Sequence, residues 1–299
     1  MKAINMHSLQ QLFIQVVEAG SFKKAAEQIH MEPSSLSRKI AALEKRLNVK
    51  LLHRSTRHTR PTELGQRYYE GLRRLLDDEI ALEEEVTSGA RMLRGTLRIS
   101  APVDFGAEFV VPVVHKMLKS APELSIELSL SSQFVNLVEQ NIDVAVRIGE
   151  SSKSKLLTQK IGEVPRVLVA SHDYLKRCGT PNTPNDLAAH NFILYSPIQA
   201  RSDIEFANGN HFPHSKIQSN ITVNSVNAIR KLVKGGLGVH LGPAWVFRAA
   251  LERGDVCKIL SGYALKSFPI HAVYVARAYL PRKTEEFIQQ LSQHIERSI

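Results

Sequence analysis

Residues 21–47 show two consecutive helical periods of apolar positions. The first run follows Ser21, which is a good N-cap, and places small and apolar residues on one face, at Ala25, Ala26 and Ile29. The second run repeats apolar residues at spacings of four, three and four, at Leu36, Ile40, Leu43 and Leu47. Pro33 fits the first position of the second helix, where its missing N–H costs nothing. The pattern therefore predicts two helices joined by a tight turn.

The opposite face of the second helix is polar and cationic. At about 100° per residue, that face carries no carboxylate and consists of Ser34, Arg38, Ala41 and Lys45. Eight cationic residues stand against one acid, Glu44, in residues 38–60, namely Arg38, Lys39, Lys45, Arg46, Lys50, Arg54, Arg57 and Arg60. A cationic outer face is often only solvated surface, but this charge excess is typical of a protein that contacts phosphates.

We therefore predict that this helix enters the major groove of DNA. Ser34, Ser35 and Arg38 are expected to contact base edges. Phosphate contacts are expected from Lys39, Lys45, Arg54, Arg57 and Arg60. Pro33 and Ser37, on the same helix, complete the candidate DNA-binding residues.

The segments around this pair predict a supporting helix, a wing and a long helix. The supporting helix spans residues 9–17 and ends at Gly20, and two extended pieces at 50–53 and 59–61 suggest a β-wing. Thr62 then caps a helix whose apolar residues recur at spacings near 3.5, at Leu64, Tyr68, Leu72, Leu75, Leu82 and Val86. This stripe favours pairing with a second copy in a two-fold dimer, and packing on its own domain is the alternative.

From Gly95 onward, strands and helices alternate. Strand patterns at 96–100, 124–130 and 143–149 form one unit, and those from 166 onward form a second, which includes a hairpin at Asn208-Gly209. Short joints between strands and helices predict a parallel sheet covered on both faces in each unit. Two such units create a crevice, and ligands bind at the carboxyl ends of the strands.

Composition narrows the class of protein. The chain has 299 residues, 43% hydrophobic and 23% charged, which is typical of a globular protein with two or three domains. A net charge of +10 favours an anionic partner, nucleic acid before membrane. Cys178 and Cys257 are far apart and predict reduced thiols. The first residues lack the pattern of a signal peptide, and no apolar run approaches the ~20 residues of a membrane span, so we expect a cytoplasmic protein with no membrane partner.

Motifs for catalysis, metal or cofactor binding are weak. The glycines at 235, 236 and 238 follow a helix and precede a strand, the reverse of the order in a nucleotide-binding loop. His53 and His58 have no nearby carboxylate or thiol to complete a metal site. The histidines of the second half have no nucleophile at catalytic spacing. We therefore expect no catalytic residue, no metal and no cofactor.

The segment FKKAAEQIHMEPSSLSRKIAALEKRLNVKLLHRSTRHTRPTELG resembles the DNA-binding domain of LysR-type transcriptional regulators, and the resemblance extends over almost the whole chain. It is closest to members whose recognition helix opens with Pro-Ser-Ser or Pro-Ser-Ala. The commoner family pattern has Gln where this chain has Pro33. This chain therefore lacks one side chain that could contact adenine.

The resemblance implies an α+β multidomain protein that is not an enzyme. Its parts are a winged helix-turn-helix at 5–62, a linker and dimerisation helix at 63–92, and an effector-binding domain at 93–299. That domain consists of two α/β Rossmann-like subdomains, 93–165 with 269–299 and 166–268, and resembles periplasmic binding proteins. Implied partners are operator DNA, a small-molecule effector, further copies in a homodimer or homotetramer, and RNA polymerase.

By the same analogy, the crevice loops supply the candidate effector-binding residues, which are Ser100, Pro102, Val103, Asp104, Ser131, Ser132, Gln133, Arg147, Ser171, Asn224, Ser225 and His240. Many lie at strand ends or helix N-termini, where free N–H groups favour an anionic effector. For any single serine, an ordinary helix cap is the alternative. One alternative is a small-molecule binding protein with an inert basic appendage, which a signal peptide would have supported. Another is an α/β-class enzyme, for which the chain lacks a nucleophile, metal or cofactor motif.

Overall fold

A computed structural model describes residues 8–54, 59–86, 93–131, 137, 140–149, 156–195, 202–275 and 280–299. The chain divides into two compact units, Met1–Ala90 with Arg277–Pro281, and Arg91–Ala276 with Arg282–Ile299.

The first unit is a small helical domain with a β-hairpin. Its elements are α1 (Leu9–Ala19), α2 (Phe22–Gln28), α3 (Pro33–Leu47), β1 (Leu52–Arg54), β2 (Thr59–Pro61) and α4 (Glu63–Val86). The predicted apolar stripes converge on one core, formed by Leu12, Phe13, Val16, Ala25, Ala26, Leu36, Ile40, Leu43, Leu51 and Leu52. Pro33 occupies the first turn of α3, as expected.

Caps define the ends of these helices. Gly20 ends α1 with φ 63°, a left-handed conformation that favours glycine, and donates its N–H to Val16 and Val17. The Thr62 hydroxyl accepts from the Gly65 N–H at 2.9 Å and so caps α4, as predicted. Ser21 stands at the N-cap of α2, but its side chain makes no capping hydrogen bond. Ser8 forms a capping box with Gln11 that the sequence analysis missed.

The second unit contains two subdomains. The first has β3 (Gly95–Ala101), α5 (Val103–Phe105), a π-helical segment (Gly106–Val110), α6 (Val111–Ser120), β4 (Leu124–Leu130), β5 (Val144–Ile148) and β6 (Leu156–Val164). The sequence pattern predicts a turn at 101–104, whereas helical structure already begins at Val103. It also predicts a short helix at 134–140, which lies almost entirely outside the described residues.

The second subdomain begins with β7 (Arg166–Ala170), α7 (His172–Cys178), a 3₁₀ segment (Pro184–Ala189), β8 (Asn191–Leu194), β9 (Ile204–Glu205), β10 (His211–Phe212) and a second 3₁₀ segment (His214–Lys216). It continues with β11 (Gln218–Thr222), α8 (Val226–Lys234), β12 (His240–Pro243), α9 (Ala244–Glu252) and β13 (Cys257–Lys258). The chain then returns to the first subdomain through β14 (Phe268–Val275) and α10 (Arg282–Ser298).

The sheets are mixed, so the prediction of purely parallel sheets is wrong. The five-stranded sheet has the order β4-β3-β5-β14-β6, with β3 parallel to β4 and β5 but β14 antiparallel to β5 and β6. The reversal arises because β14 re-enters from the second subdomain. In that subdomain β8 and β11 are parallel, whereas β7 is antiparallel to β12 and β13. The Asn208-Gly209 hairpin is confirmed.

Candidate nucleic-acid interface and effector crevice

The recognition helix α3 separates its apolar and cationic faces as the sequence predicts. Leu36, Ile40 and Leu43 are fully buried in the core. Ser34, Arg38, Ala41 and Lys45 are exposed on the opposite side. This burial holds the helix against its domain while leaving one polar face open to solvent.

The candidate DNA-binding side chains of α3 lie on or beside this face. Arg38 extends toward the preceding turn, with its Nε 3.4 Å from the Ser34 carbonyl oxygen. Pro33 is exposed at the start of the helix, and the flanking positions Ser35, Ser37 and Lys39 are half-buried. The exposed polar groups of the face are therefore the Ser34 hydroxyl and the cations of Arg38 and Lys45.

Glu44, the single acid of this segment, is buried and only 3% exposed. Its Oε1 accepts the backbone N–H of Leu51 at 2.9 Å and of Leu52 at 3.2 Å, and its Oε2 lies 3.5 Å from the Lys50 Nζ. The charge pattern of residues 38–60 does not predict this role, because there Glu44 only offsets positive charge. The spacing held the signal, because Glu44 follows Ile40 by four residues and so lies on the apolar face.

The wing adds cationic groups next to α3. Strands β1 and β2 pair antiparallel, with His53 opposite Arg60 and Arg54 opposite Thr59. Arg60 is exposed. Arg57 lies outside the described residues, as does the side chain of Arg54. Because Glu44 binds the N–H groups that lead into β1, the last turn of α3 and the start of the wing are held together.

In the second unit, Asp104 bridges the two subdomains. Its Oδ2 accepts the backbone N–H of Val226 at 3.2 Å, and its Oδ1 accepts the Asn227 Nδ2–H at 2.6 Å. Val226 is the first residue of α8, and Ser225 caps this helix by accepting the Ala228 N–H at 3.4 Å. Two expected crevice elements therefore meet, and the Asp104 carboxylate already has partners from the protein itself.

Other candidate effector residues lie around the carboxyl ends of β3, β4 and β5. Ser100 is fully buried, and its hydroxyl has no hydrogen-bond partner within the described residues. Pro102 is half-buried at the N-cap of α5, and Val103 is 43% exposed. The Ser131 N–H donates to the Ala101 carbonyl at 3.0 Å. Ser132 and Gln133 lie outside the described residues.

Arg147 brings a cation to the end of β5. It is half-buried, stands opposite His271 of β14, and donates from Nη1 to the Val146 carbonyl at 3.3 Å. Burial lowers the pKa of the Arg147 guanidinium, which nevertheless keeps its charge because arginine titrates so far above neutrality. The first subdomain thus offers a partly desolvated positive charge near its strand ends.

The candidates of the second subdomain are mostly structural. The buried Ser171 accepts the Tyr174 N–H at 3.3 Å and caps α7, which is the ordinary alternative for a serine. Asn224 is exposed just before α8.

His240 departs from the expectation. It is 1% exposed, its Nδ1 lies 2.7 Å from the Ile193 carbonyl oxygen, and its ring packs against Phe247. Burial lowers its pKa to about 4, so the ring is neutral at physiological pH. His240 therefore belongs to the core at the start of β12, where the first three residues of the strand are all buried.

Two chain crossings connect the subdomains, one between β6 and β7 and one before β14. The Arg166 side chain links them, since its Nε donates to the Lys266 carbonyl and its Nη2 to the Glu205 carbonyl at 3.1 Å. The guanidinium also lies 4.3 Å from the centroid of the Phe268 ring. The sequence analysis missed this contact, because nothing in the local pattern pairs residues 100 positions apart.

Neither a membrane span nor a metal cluster is found among the described residues. No helix there is long and apolar enough to cross a bilayer. No three histidine, cysteine or acidic side chains there come together in a way that could hold a metal ion.

Comparison with known families agrees with this architecture. Residues 8–66 match the model for the bacterial regulatory helix-turn-helix protein of the lysR family, and residues 90–296 match the LysR substrate binding domain. The match to the second model alone covers more than half of the chain.

Individual relatives are similar over nearly their full lengths. A Haemophilus influenzae protein named an uncharacterized HTH-type transcriptional regulator is 34% identical over 91% of this chain and 94% of its own length. The Escherichia coli HTH-type transcriptional activator AaeR is 32% identical over 95% of this chain and 92% of its own length.

Solved structures extend the similarity to the fold. The full-length structure of the Vibrio cholerae virulence activator AphB is 30% identical, has a TM-score of 0.58, and matches 95% of this chain and 97% of its own. CrgA from Neisseria meningitidis is 27% identical, has a TM-score of 0.56, and matches 98% and 99%. A helix-turn-helix domain followed by a LysR substrate binding domain is thus the architecture that the family models describe, and the chain belongs to the LysR family of bacterial transcriptional regulators, which are not enzymes.

Proposed function

We propose that α3 reads the operator and that Ser34, Ser35 and Arg38 supply the base contacts. The observation that carries this proposal is the outer face of α3, where Ser34, Arg38 and Lys45 are exposed and Glu44, the one carboxylate within the helix, is buried. A face of this kind suits the major groove, where arginine donates two hydrogen bonds to guanine.

The surrounding cations are proposed to hold the DNA backbone. These residues are Lys39, Lys45, Arg54, Arg57 and Arg60, with Pro33 and Ser37 against the backbone at the helix start. Phosphate contacts fix the register of the protein on the duplex but carry no sequence information.

We further propose that an anionic small molecule binds between the subdomains of the second unit. Arg147 is the positive charge best suited to it, and Ser100 has a buried hydroxyl whose hydrogen-bonding capacity is unused within the described residues. Pro102, Val103, Asp104, Ser131, Ser132, Gln133, Ser171, Asn224 and Ser225 are proposed to surround the site. His240 supports the site from the core rather than by contact.

The proposed assembly is a dimer through the linker helix at 63–92, with tetramers formed from two dimers. The DNA-binding domain is proposed to span 5–62 and the effector-binding domain 93–299. A two-fold dimer presents two copies of α3 to half-sites about one helical turn apart. This action on operator DNA is proposed to take place in the cytoplasm, with RNA polymerase as a further partner.

The test is a competition experiment with the Arg38→Ala variant. Genomic fragments that the full-length protein binds are selected first, and each position of the bound site is then substituted. Loss of a bidentate Arg38 contact should remove about 1–3 kcal/mol of discrimination at one base position.

Lys176→Ala, at an exposed cation of the second unit, is the matched control and should leave discrimination unchanged. If the Arg38→Ala variant discriminates at every position as well as the unmodified protein, the assignment of Arg38 to base contact is wrong.

A further inference from the structure

The contact of Asp104 with α8 joins two subdomains that the chain connects only at its two crossings. Asp104 stands at the start of the helix that follows β3, in the first subdomain, whereas Val226 and Asn227 open α8 in the second. Both carboxylate oxygens are engaged, at 3.2 Å and 2.6 Å. One side chain therefore links the two subdomains directly.

The chemistry of this contact favours a specific closed arrangement. The Val226 N–H is one of the donors that a helix leaves without an internal partner, and the start of a helix attracts negative charge. Ser225 satisfies the Ala228 N–H from within the second subdomain, so the Val226 N–H depends on Asp104. A carboxylate that accepts such donors forms hydrogen bonds about twice as strong as neutral ones.

We propose that Asp104 is a latch, meaning a side chain that holds the crevice closed in the effector-free protein. The inference rests on the proposed function in one respect, which is that the effector enters this crevice. An effector that bears a second acceptor, beside the anionic group held near Arg147, would compete with Asp104 for the Val226 and Asn227 donors, so binding of that acceptor and latch closure exclude each other. Opening then takes place about the two crossings that Arg166 ties together.

The experiment compares amide hydrogen exchange in full-length variants without DNA or effector. Asp104→Ala removes both contacts, Asp104→Asn keeps the shape but loses the charge, and Asn227→Ala removes one contact without changing the charge of the carboxylate. Asp186→Ala is the matched control, because Asp186 likewise accepts two N–H groups, both from the backbone, but lies wholly within the second subdomain.

The latch predicts exchange changes on both sides of the crevice. In Asp104→Ala, peptides covering 98–110 and 221–232 should exchange about tenfold faster, and those at the crossings, 163–168 and 265–270, should follow. Asp104→Asn and Asn227→Ala should give smaller changes in the same peptides. Asp186→Ala should change only peptides near 180–190.

A change confined to 221–232 would mean that Asp104 is merely a cap for α8, and the latch would be refuted. Because the readout needs neither DNA nor effector, it is separate from the test of the proposed function. If the protein binds no DNA but amide exchange becomes faster in both subdomains of the variant, the latch is supported and the proposal of operator binding is refuted.

Sodium acetate tests the competition itself. In the Asp104→Ala variant, the Val226 N–H and the Asn227 amide lose the carboxylate that accepts their hydrogen bonds. Sodium acetate should therefore slow the amide exchange of residues 221–232 more than sodium chloride does at equal ionic strength. In the unmodified protein the same acetate concentration should have a weaker effect, because Asp104 already accepts these two hydrogen bonds. An equal response in both proteins, or none in the variant, would refute the exclusion of one carboxylate by the other.

Discussion

The polar side chains on the outer face of α3 and those near the crevice of the second unit differ in what they contact. On α3, hydroxyls and cations face outward and the one acid is buried. At the crevice, the polar side chains largely bind the protein itself, as Asp104 does with α8 and Ser171 with α7. An outward face can be identified from helical spacing, whereas a site whose groups bind each other depends on contacts between distant residues.

The largest test of this comparison concerns Glu44. If its buried carboxylate serves the fold rather than the interface, Glu44→Ala should lower the free energy of unfolding of the first unit by about 3–4 kcal/mol, since two buried N–H groups lose their acceptor. Chemical denaturation monitored in that unit measures the loss.

Glu44→Gln should lower the free energy of unfolding less, because an amide oxygen can still accept hydrogen bonds from the two N–H groups. Glu27→Ala, at an exposed acid of α2, is the control and should change stability by less than about 0.5 kcal/mol. A loss for Glu44→Ala as small as that of the control would contradict the structural role.

His240 tests the second region through pH. Its folded pKa of about 4 lies below the usual value of 6.5, so the unfolded chain takes up a proton first as the pH falls. The contribution to stability is present above pH ~6.5 and is lost between there and pH ~4, amounting to about 3 kcal/mol.

Urea unfolding at pH 7.5 and pH 4.5 measures this effect, with His240→Gln compared to the unmodified protein. The variant should lose less stability on acidification. His172→Gln, at an exposed histidine, should behave like the unmodified protein. If acidification destabilises all three equally, His240 does not titrate as a core residue.

The smallest expected effect separates wing contacts from base contacts. Arg60→Ala should weaken binding to all DNA sequences alike and reduce the slope of log affinity against log salt by about one unit. Titrations at several salt concentrations, with a specific and an unrelated duplex, measure it. A loss of affinity for one DNA sequence only would assign Arg60 to base contact, the role proposed for Arg38, and would contradict its assignment to phosphates.

The fold was predictable where burial shows as periodicity. Helices α3 and α9 and strand β4 follow their apolar patterns closely, and the hairpin at Asn208-Gly209 follows its turn residues. Strand β6 was missed because it is an edge strand whose residues 157–160 are all exposed, which leaves no alternation to detect. The direction of β14 was missed because it depends on where the chain returns from.

The site was predictable to a different degree in each unit. The orientation of Arg38 and Lys45 follows from their positions relative to Leu36 and Ile40. The partners of Asp104 do not follow from any local pattern, since they are 122 and 123 residues away. His240 looked like a crevice residue because it stands at a strand end, and only the strand's orientation turns it into the core.

The carboxylate of Glu44 has a consequence for how operator preference can diverge. It binds the end of α3 to the backbone that enters the wing, so the two elements proposed to contact DNA keep a fixed spacing. Substitutions on the outer surface can then alter which bases are preferred without altering where the protein sits on the duplex. The position of the protein on the duplex and its preference for particular bases can then change independently. Descendants of this chain can acquire new target sequences by changing only a few side chains on the outer face of α3.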